Sequence, residues 1–240
     1  MVSRLRTATG DIAVWQWGEG PRVLLAHGWG SHAGRLTRFL PELLAAGFGV
    51  TAFDAPGHGL STGSLSSLRE FVEAFREVAR LVSPVATIGH SLGAAAAVLG
   101  SPPGGTVRAA VLLAPPSETS SYPRRFARYV RLAPAVSDRM AAHLERRLGR
   151  LPELYRPECW PGVPILVFHD QGDTRVPVRE GLAISRAWPE TRIVVTRGLG
   201  HHRIVGDETV IRRSVRFLAR AALGAPATFA SPVGGREQAS

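Results

Sequence analysis

The chain has 240 residues, of which 45% are hydrophobic and 20% charged, a composition typical of a globular protein with a full core. The net charge is +10 and every basic residue is arginine, but no zinc-ligand cluster or RNA-binding signature accompanies this charge. A single cysteine, Cys159, excludes an internal disulfide. We find no signal peptide after Met1 and no segment near the roughly 18 apolar residues of a membrane span, so we expect a cytoplasmic protein without a nucleic-acid or membrane partner.

The first predicted elements form a hairpin, and strands then alternate with helices along the chain. The hairpin covers residues 5–17 around a Thr-Gly-Asp turn. Strands that are apolar throughout and alternate with helices form parallel sheets covered on both faces. The predicted fold class is therefore α/β, with a mostly parallel central sheet, flanking helices and an N-terminal hairpin. The later strands are predicted at 23–26, 50–53, 85–88, 107–114, 164–168 and 192–196, and the helices at 35–46, 66–82, directly after 91, 178–187 and 208–218.

An arginine-rich insertion interrupts the alternation of strands and helices. Residues 117–157 hold nine arginines against four acidic residues. We interpret residues 117–160 as a small helical cap inserted into one domain that spans residues 1–222. Residues 223–240 are rich in Ala, Gly, Pro and Ser, a composition that predicts a disordered tail.

The most informative motif is the pentapeptide Gly89-His90-Ser91-Leu92-Gly93. It follows an apolar, β-branched run and precedes an alanine-rich run, so it predicts a sharp turn from a strand into a helix. Small residues around the turn allow its central residue to adopt a strained backbone conformation. The pattern is that of a nucleophile elbow, in which Ser91 is presented beside the free N–H groups of a helix N-terminus.

Two loops after predicted strands can complete the surroundings of this serine, because reactive groups collect at the carboxyl ends of parallel strands. The first is His27-Gly28-Trp29-Gly30, whose small residues can turn a backbone N–H toward the serine. We predict that the Trp29 and Leu92 N–H groups form an oxyanion hole. The second loop, Asp54 to Ser61, is interpreted as structural, and its His58 as a hydrogen-bonding residue rather than a base.

A carboxylate and a histidine are needed to activate a nucleophilic serine, and both follow later strands. The carboxylate can be Asp170 or Asp173, which stand in the same loop. The histidine can be His201 or His202, after Gly198-Leu199-Gly200. The chain order Ser, Asp, His is that of α/β-hydrolases, and differs from the orders of the chymotrypsin and subtilisin folds.

These motifs resemble the α/β-hydrolase superfamily over residues 5–220. The shared features are His-Gly before the oxyanion residue, Asp-x-Pro-Gly-His-Gly-x-Ser, the elbow, and an Asp three residues before Val-Pro. The resemblance implies Ser91 as nucleophile, Asp173 rather than Asp170 as acid, and His201 rather than His202 as base. It further implies hydrolysis of a small-molecule carboxylic ester through an acyl-enzyme, with no metal and no cofactor.

Three other functions remain open at this point. The basic cap is compatible with an acyl thioesterase acting on anionic thioesters. A catalytically dead ligand-binding protein of the same fold is a second alternative, against which the intact Ser, Asp and His set argues. A nucleic-acid binder rests on charge alone.

Overall fold

An eight-stranded sheet forms the centre of the computed structural model. The structure describes residues 2–8, 10–64, 66–117, 127–128, 130–148 and 160–224, without the side chains of 144–148. The strand order is β1-β2-β4-β3-β5-β6-β7-β8. The hairpin β1–β2 is antiparallel and β2 runs antiparallel to β4, whereas all other neighbours are parallel. The predicted α/β class, the mostly parallel sheet and the N-terminal hairpin are confirmed. The strands are β1 Val2–Thr7, β2 Gly10–Trp17, β3 Arg22–Ala26, β4 Gly49–Phe53, β5 Ala86–His90, β6 Ala109–Leu113, β7 Ile165–Asp170 and β8 Thr191–Thr196.

Helices cover both faces of the sheet and bury two apolar layers against it. One layer packs α2 and α3 on the sheet, and the other packs α1 and α7 on the opposite face. None of the described helices combines the length and the apolar character needed to cross a lipid bilayer. The helices are α1 Leu40–Ala45, α2 Leu68–Val82, α3 Leu92–Gly100, α4 Pro134–Leu148, α5 Val178–Ala187, α6 Gly200–Arg203 and α7 Glu208–Leu223.

The segment predicted to be helical at 35–46 is helical in the structure, but its two halves are helices of different type. The structure has a 3-10 helix at Ala33–Phe39, followed by the short helix α1. The physical reason is Pro41 in the first turn of α1. Because proline lacks an N–H group, it cannot donate to the carbonyl four residues earlier, and a regular α-helix cannot pass through this position from its N-terminal side.

The chain between β6 and β7 contains the predicted cap, and the structure describes it in part. Helix α4 lies there, as the predicted helical cap requires, whereas residues 118–126, 129 and 149–159 lie outside the described residues. Strand β6 ends at Leu113, and four residues later the N–H of Ser117 donates to Oε2 of buried Glu180 at 3.0 Å. The boundaries 117–160 stay a prediction, and the predicted tail lies outside the described residues from 225 onward.

Candidate active site

The turn between β5 and α3 holds Ser91 in a strained backbone conformation. Ser91 has φ 51° and ψ −121°, a region that residues with a side chain rarely occupy. Its own N–H donates to the Leu113 carbonyl at 2.9 Å, and its carbonyl accepts the Ala94 N–H at 2.9 Å. These bonds fix the turn between the neighbouring strand and the first turn of α3, so that Ser91 lies at the carboxyl edge of the sheet.

Two glycines of the elbow are required by close backbone approach. A Cβ placed on Gly89 would lie 2.5 Å from the Ala94 Cα, and a Cβ on Gly93 would lie 2.3 Å from the carbonyl oxygens of Ala26 and His27. These contacts are with the backbone and therefore cannot be relieved by a side-chain rotation. The pattern Gly-x-Ser-x-Gly thus allows the start of α3 to pack closely on the ends of β3 and β5.

Asp173 and His201 come together at the same edge of the sheet. The Nδ1 of His201 lies 2.7 Å from Oδ2 of Asp173, and this carboxylate has no exposed surface. The other carboxylate oxygen accepts the N–H groups of Arg175 at 2.8 Å and Val176 at 2.9 Å. Burial opposes ionisation of Asp173, but the hydrogen bond and charge of His201 and these two N–H groups outweigh it, so the pKa of Asp173 is below its usual value.

The second acid in this loop, Asp170, has different partners. Its carboxylate accepts hydrogen bonds from the N–H of Gly172 at 2.9 Å, the hydroxyl of Thr196 at 2.9 Å and the N–H of Leu199 at 3.0 Å. Asp170 is the last residue of β7, which extends two residues beyond the predicted strand. It therefore holds the loop that leads to His201, while Asp173 contacts the imidazole itself.

The adjacent histidine, His202, is exposed and contacts the His201 ring at a centroid distance of 5.2 Å. Partial burial, then the neighbouring His201 and the cations Arg175 and Arg35, lower the pKa of His202. Of the two candidate histidines, His201 is thus the one that the structure pairs with Asp173.

The loop that carries Trp29 lies against the nucleophile. A Cβ on Gly28 would be 3.2 Å from the Cβ of Ser91, so the peptide that precedes Trp29 approaches the serine closely. The Trp29 side chain points to the surface, where it is 59% exposed and donates from Nε1 to the Ser66 carbonyl at 3.0 Å. Leu92 is the first residue of α3, and helix N-terminal N–H groups have no intrahelical acceptor.

Two histidines and one aspartate hold this loop in place. His58 accepts the Gly30 N–H at its Nε2 at 2.8 Å, in agreement with its structural interpretation. His27 accepts the Ala55 N–H at 2.9 Å, and burial in particular lowers the pKa of His27 to about 4. Asp54 accepts the N–H groups of Ala33 and Leu60, at 2.7 and 2.8 Å. Hydrogen bonds between two loops therefore fix the conformation of the loop that carries Trp29.

His90 is the residue of this site that sequence reasoning missed. It lies directly before Ser91, and its Nε2 is 2.9 Å from the His201 carbonyl oxygen. The two rings are 4.8 Å apart between centroids. The contact joins residues 111 positions apart in the chain, so no local signal in the sequence could indicate it.

No group of three or more His, Cys, Asp and Glu side chains forms a possible metal site in the part of the chain that the structure describes. The groups that the structure brings together are of the kind that activates a serine hydroxyl. They include a hydroxyl on a strained turn, an imidazole oriented by a buried carboxylate, and a helix N-terminus beside the hydroxyl.

Comparison with known sequences identifies a family model and several relatives. The model described as serine aminopeptidase, S33 matches residues 20–171. A monoacylglycerol lipase of Mycolicibacterium smegmatis is 41% identical over 91 residues, which cover 33% of this chain and 32% of the lipase. A pimeloyl-(acyl-carrier protein) methyl ester esterase of Methylococcus capsulatus is 42% identical over 82 residues, 34% of this chain and 31% of the esterase. The matches thus span about a third of the length of these two relatives.

Solved structures show the same architecture over nearly the whole chain. The esterase EaEST from Exiguobacterium antarcticum superimposes with a TM-score of 0.70 at 14% sequence identity, covering 92% of this chain and 100% of that one. At this level of identity the likeness concerns the fold alone.

Proposed function

The chain belongs to the α/β-hydrolase family described by the serine aminopeptidase S33 model, and we propose that it hydrolyses carboxylic esters through an acyl-enzyme on Ser91. The observation that carries this proposal is the 2.7 Å hydrogen bond between His201 and the buried carboxylate of Asp173, next to the strained elbow. The lipase and esterase names of two sequence relatives support the choice of ester chemistry.

The first half of the reaction forms the acyl-enzyme. His201 donates its Nδ1–H to Asp173, so its Nε2 carries a lone pair that can accept the proton of the Ser91 hydroxyl. The serine oxygen then attacks the ester carbonyl, and the oxyanion that forms accepts hydrogen bonds from the Trp29 and Leu92 N–H groups. Collapse of this intermediate releases the alcohol, which takes the proton from His201.

The second half of the reaction repeats the same steps with water. His201 removes a proton from a water molecule, which attacks the acyl carbonyl, and the carboxylic acid leaves as Ser91 recovers its proton. The lowered pKa of Asp173 keeps its carboxylate ionised near neutral pH, where it can stabilise the imidazolium in both halves. These reaction steps require no cofactor. The molecule that binds at the site is, in this proposal, a small-molecule acyl substrate.

Hydrolysis of p-nitrophenyl esters from acetate to palmitate, by wild type and Ser91→Ala, tests the proposal. We expect a rate that Ser91→Ala removes, with a chain-length optimum that gives the size of the acyl pocket. Ser214→Ala is the matched control, because Ser214 is also buried but donates to the Val210 carbonyl in α7, on the face of the sheet that packs α1. Full turnover by Ser91→Ala would refute the proposed mechanism.

A thioesterase for anionic substrates is the second candidate, favoured by exposed arginines in the described part of the insertion, at positions 128, 131 and 139. An anionic acyl-CoA steered by these charges should lose kcat/KM steeply as ionic strength rises, whereas a neutral ester should not. A fluorophosphonate that fails to label Ser91 would instead favour the catalytically dead binding protein.

A further inference from the structure

His90 connects the nucleophile's strand to the loop that carries the proposed base. Its side chain is buried, and its Nε2 approaches the main-chain carbonyl of His201 at 2.9 Å. A carbonyl can only accept a hydrogen bond, so this contact requires the Nε2–H tautomer of His90. The bond therefore holds the backbone of His201, whereas the imidazole of His201 is hydrogen-bonded to Asp173.

The segment that carries His201 has little regular secondary structure, so its conformation depends on hydrogen bonds to other parts of the fold. His201 lies in the four-residue helix α6, between β8 and α7. Gly198 and Gly200, just before it, both have positive φ, so the chain turns sharply twice within three residues. Asp170 holds this segment upstream through the Leu199 N–H, and His90 holds it at His201 itself.

The environment of His90 keeps this donor in place over a wide pH range. Burial, and then the neighbouring His201, lower the pKa of His90 to about 3. The ring is thus neutral throughout the pH range in which the protein would act. Gly28 leaves room for the ring, since a Cβ there would lie only 3.0 Å from Nδ1 of His90.

We propose that His90 is a positioning residue for the hydrolytic reaction: its Nε2–H holds the main chain of His201 so that the imidazole stays between Asp173 and Ser91. This inference rests on the proposed function, because it assumes that His201 acts as the base toward Ser91. In this proposal His90 transfers no proton and acts through the position of His201, which it contacts by the 2.9 Å bond and by its ring. Its loss should therefore lower the rate of bond formation at Ser91 much more than it changes substrate affinity.

The test compares three substitutions that differ in the donor they leave. His90→Gln retains an N–H donor at about the reach of Nε2, whereas His90→Leu retains none. Thr87→Val is the matched control on the same strand: the buried hydroxyl of Thr87 donates to the Leu24 carbonyl at 2.9 Å, in the layer below the site. It removes one buried side-chain donor without touching the His201 segment.

The first readout is the second-order rate constant for labelling of Ser91 by a fluorophosphonate, which needs the base but no knowledge of the natural ester. We expect His90→Leu to react roughly 10- to 100-fold more slowly, because small displacements of a catalytic group have effects of this size. His90→Gln should recover most of the rate, and Thr87→Val should react like wild type. On the best p-nitrophenyl ester, the loss in His90→Leu should lie in kcat with little change in KM.

The second readout is the NMR signal of the ring N–H that His201 donates to Asp173, assigned by its absence in His201→Gln. This signal is recorded without substrate, so it separates a failure of the inference from a failure of the proposed function. We expect it to broaden or vanish in His90→Leu and to persist in His90→Gln and Thr87→Val.

A wild-type labelling rate in His90→Leu, or an unchanged ring signal, would overturn the inference. So would equal losses in His90→Gln and His90→Leu, because the donor would then be irrelevant. If His90→Leu does not fold, His90→Asn takes its place: its shorter amide cannot reach the His201 carbonyl, and it must react more slowly than His90→Gln. A wild-type protein that resists labelling while the ring signal depends on His90 would refute the proposed function alone.

Discussion

Replacement of Asp173 by asparagine tests which of the two neighbouring acids orients the base. In the wild type, one carboxylate oxygen accepts the N–H groups of Arg175 and Val176 and the other faces Nδ1 of His201. The oxygen of asparagine must take over the two backbone donors, so its NH2 group faces the imidazole. Nδ1 then has to accept, the ring proton moves to Nε2, and Ser91 loses the acceptor for its proton.

The expected loss follows from this inversion of the tautomer. In serine hydrolases that use such a triad, the Asp-to-Asn exchange lowers kcat by about 10⁴, which corresponds to about 5.5 kcal/mol of transition-state stabilisation. The fold should change little, since asparagine has nearly the shape of aspartate and keeps two of the three hydrogen bonds of Asp173.

Asp170→Asn is the control, because Asp170 has no contact with the imidazole. Its carboxylate accepts three hydrogen bonds from Gly172, Thr196 and Leu199, and an amide cannot satisfy all three donors. The expected cost is about 1–3 kcal/mol of stability, with kcat reduced by no more than about tenfold. The assay measures kcat on p-nitrophenyl esters together with the free energy of unfolding in urea. A larger loss of kcat in Asp170→Asn than in Asp173→Asn would refute the assignment.

Three further predictions concern burial, packing and the oxyanion loop. The lowered pKa of His90 keeps its ring neutral in the folded state, whereas the ring of the unfolded chain binds a proton below about pH 6.5. Acidification from pH 6.5 to 5 should therefore lower the free energy of unfolding of the wild type by about 2 kcal/mol through this residue. Thermal unfolding of His90→Gln should lack this part of the pH dependence, and an unchanged slope would contradict it. Gly93→Ala should abolish most ester hydrolysis and cost about 1–3 kcal/mol in urea unfolding, since its Cβ would lie 2.3 Å from the Ala26 carbonyl oxygen. Gly104→Ala is the control, because a Cβ at Gly104 would have no atom within 4 Å. It should keep its activity and lose only roughly 1–2 kcal/mol of stability, since alanine is strained at a positive φ. Equal losses of activity in the two variants would refute this explanation. Trp29→Ala should retain most of kcat, because the proposed oxyanion donor is the main-chain N–H and the side chain is largely exposed. Trp29→Pro, which lacks this N–H, should lower kcat by about 10²–10³. Full activity in Trp29→Pro would exclude that N–H from the oxyanion hole.

The parts of the fold that sequence patterns could predict are those whose signals are local. The elbow is one case, since the apolar strand, the glycines at 89 and 93 and the alanine run stand within a few residues. The change from a 3-10 helix to α1 has an equally local signal in Pro41, but helical periodicity alone does not distinguish the two helix types. The confirmed sheet follows from the alternation of apolar strands with helices along the whole chain.

The candidate site depends on contacts that local patterns do not contain. Spacing could not choose between Asp170 and Asp173, or between His201 and His202, because both members of each pair leave the same edge of the sheet. The family pattern supplied that choice, and the structure joins Asp173 to His201. Their catalytic roles, like those of Trp29 and Leu92, stay predictions.

The attachment of the insertion at Ser117 has a consequence for how such an enzyme can change. The N–H of Ser117 is bonded to Glu180, a buried residue of α5, and the insertion connects the neighbouring parallel strands β6 and β7. Neither β5 nor the Asp173–His201 hydrogen bond lies within that connection. We therefore expect that the segment between β6 and β7 can be replaced by others of different length and composition while the elbow and the Asp173–His201 hydrogen bond stay in place. If the proposed function holds, the segment between the two strands and the residues that react can then change separately in evolution.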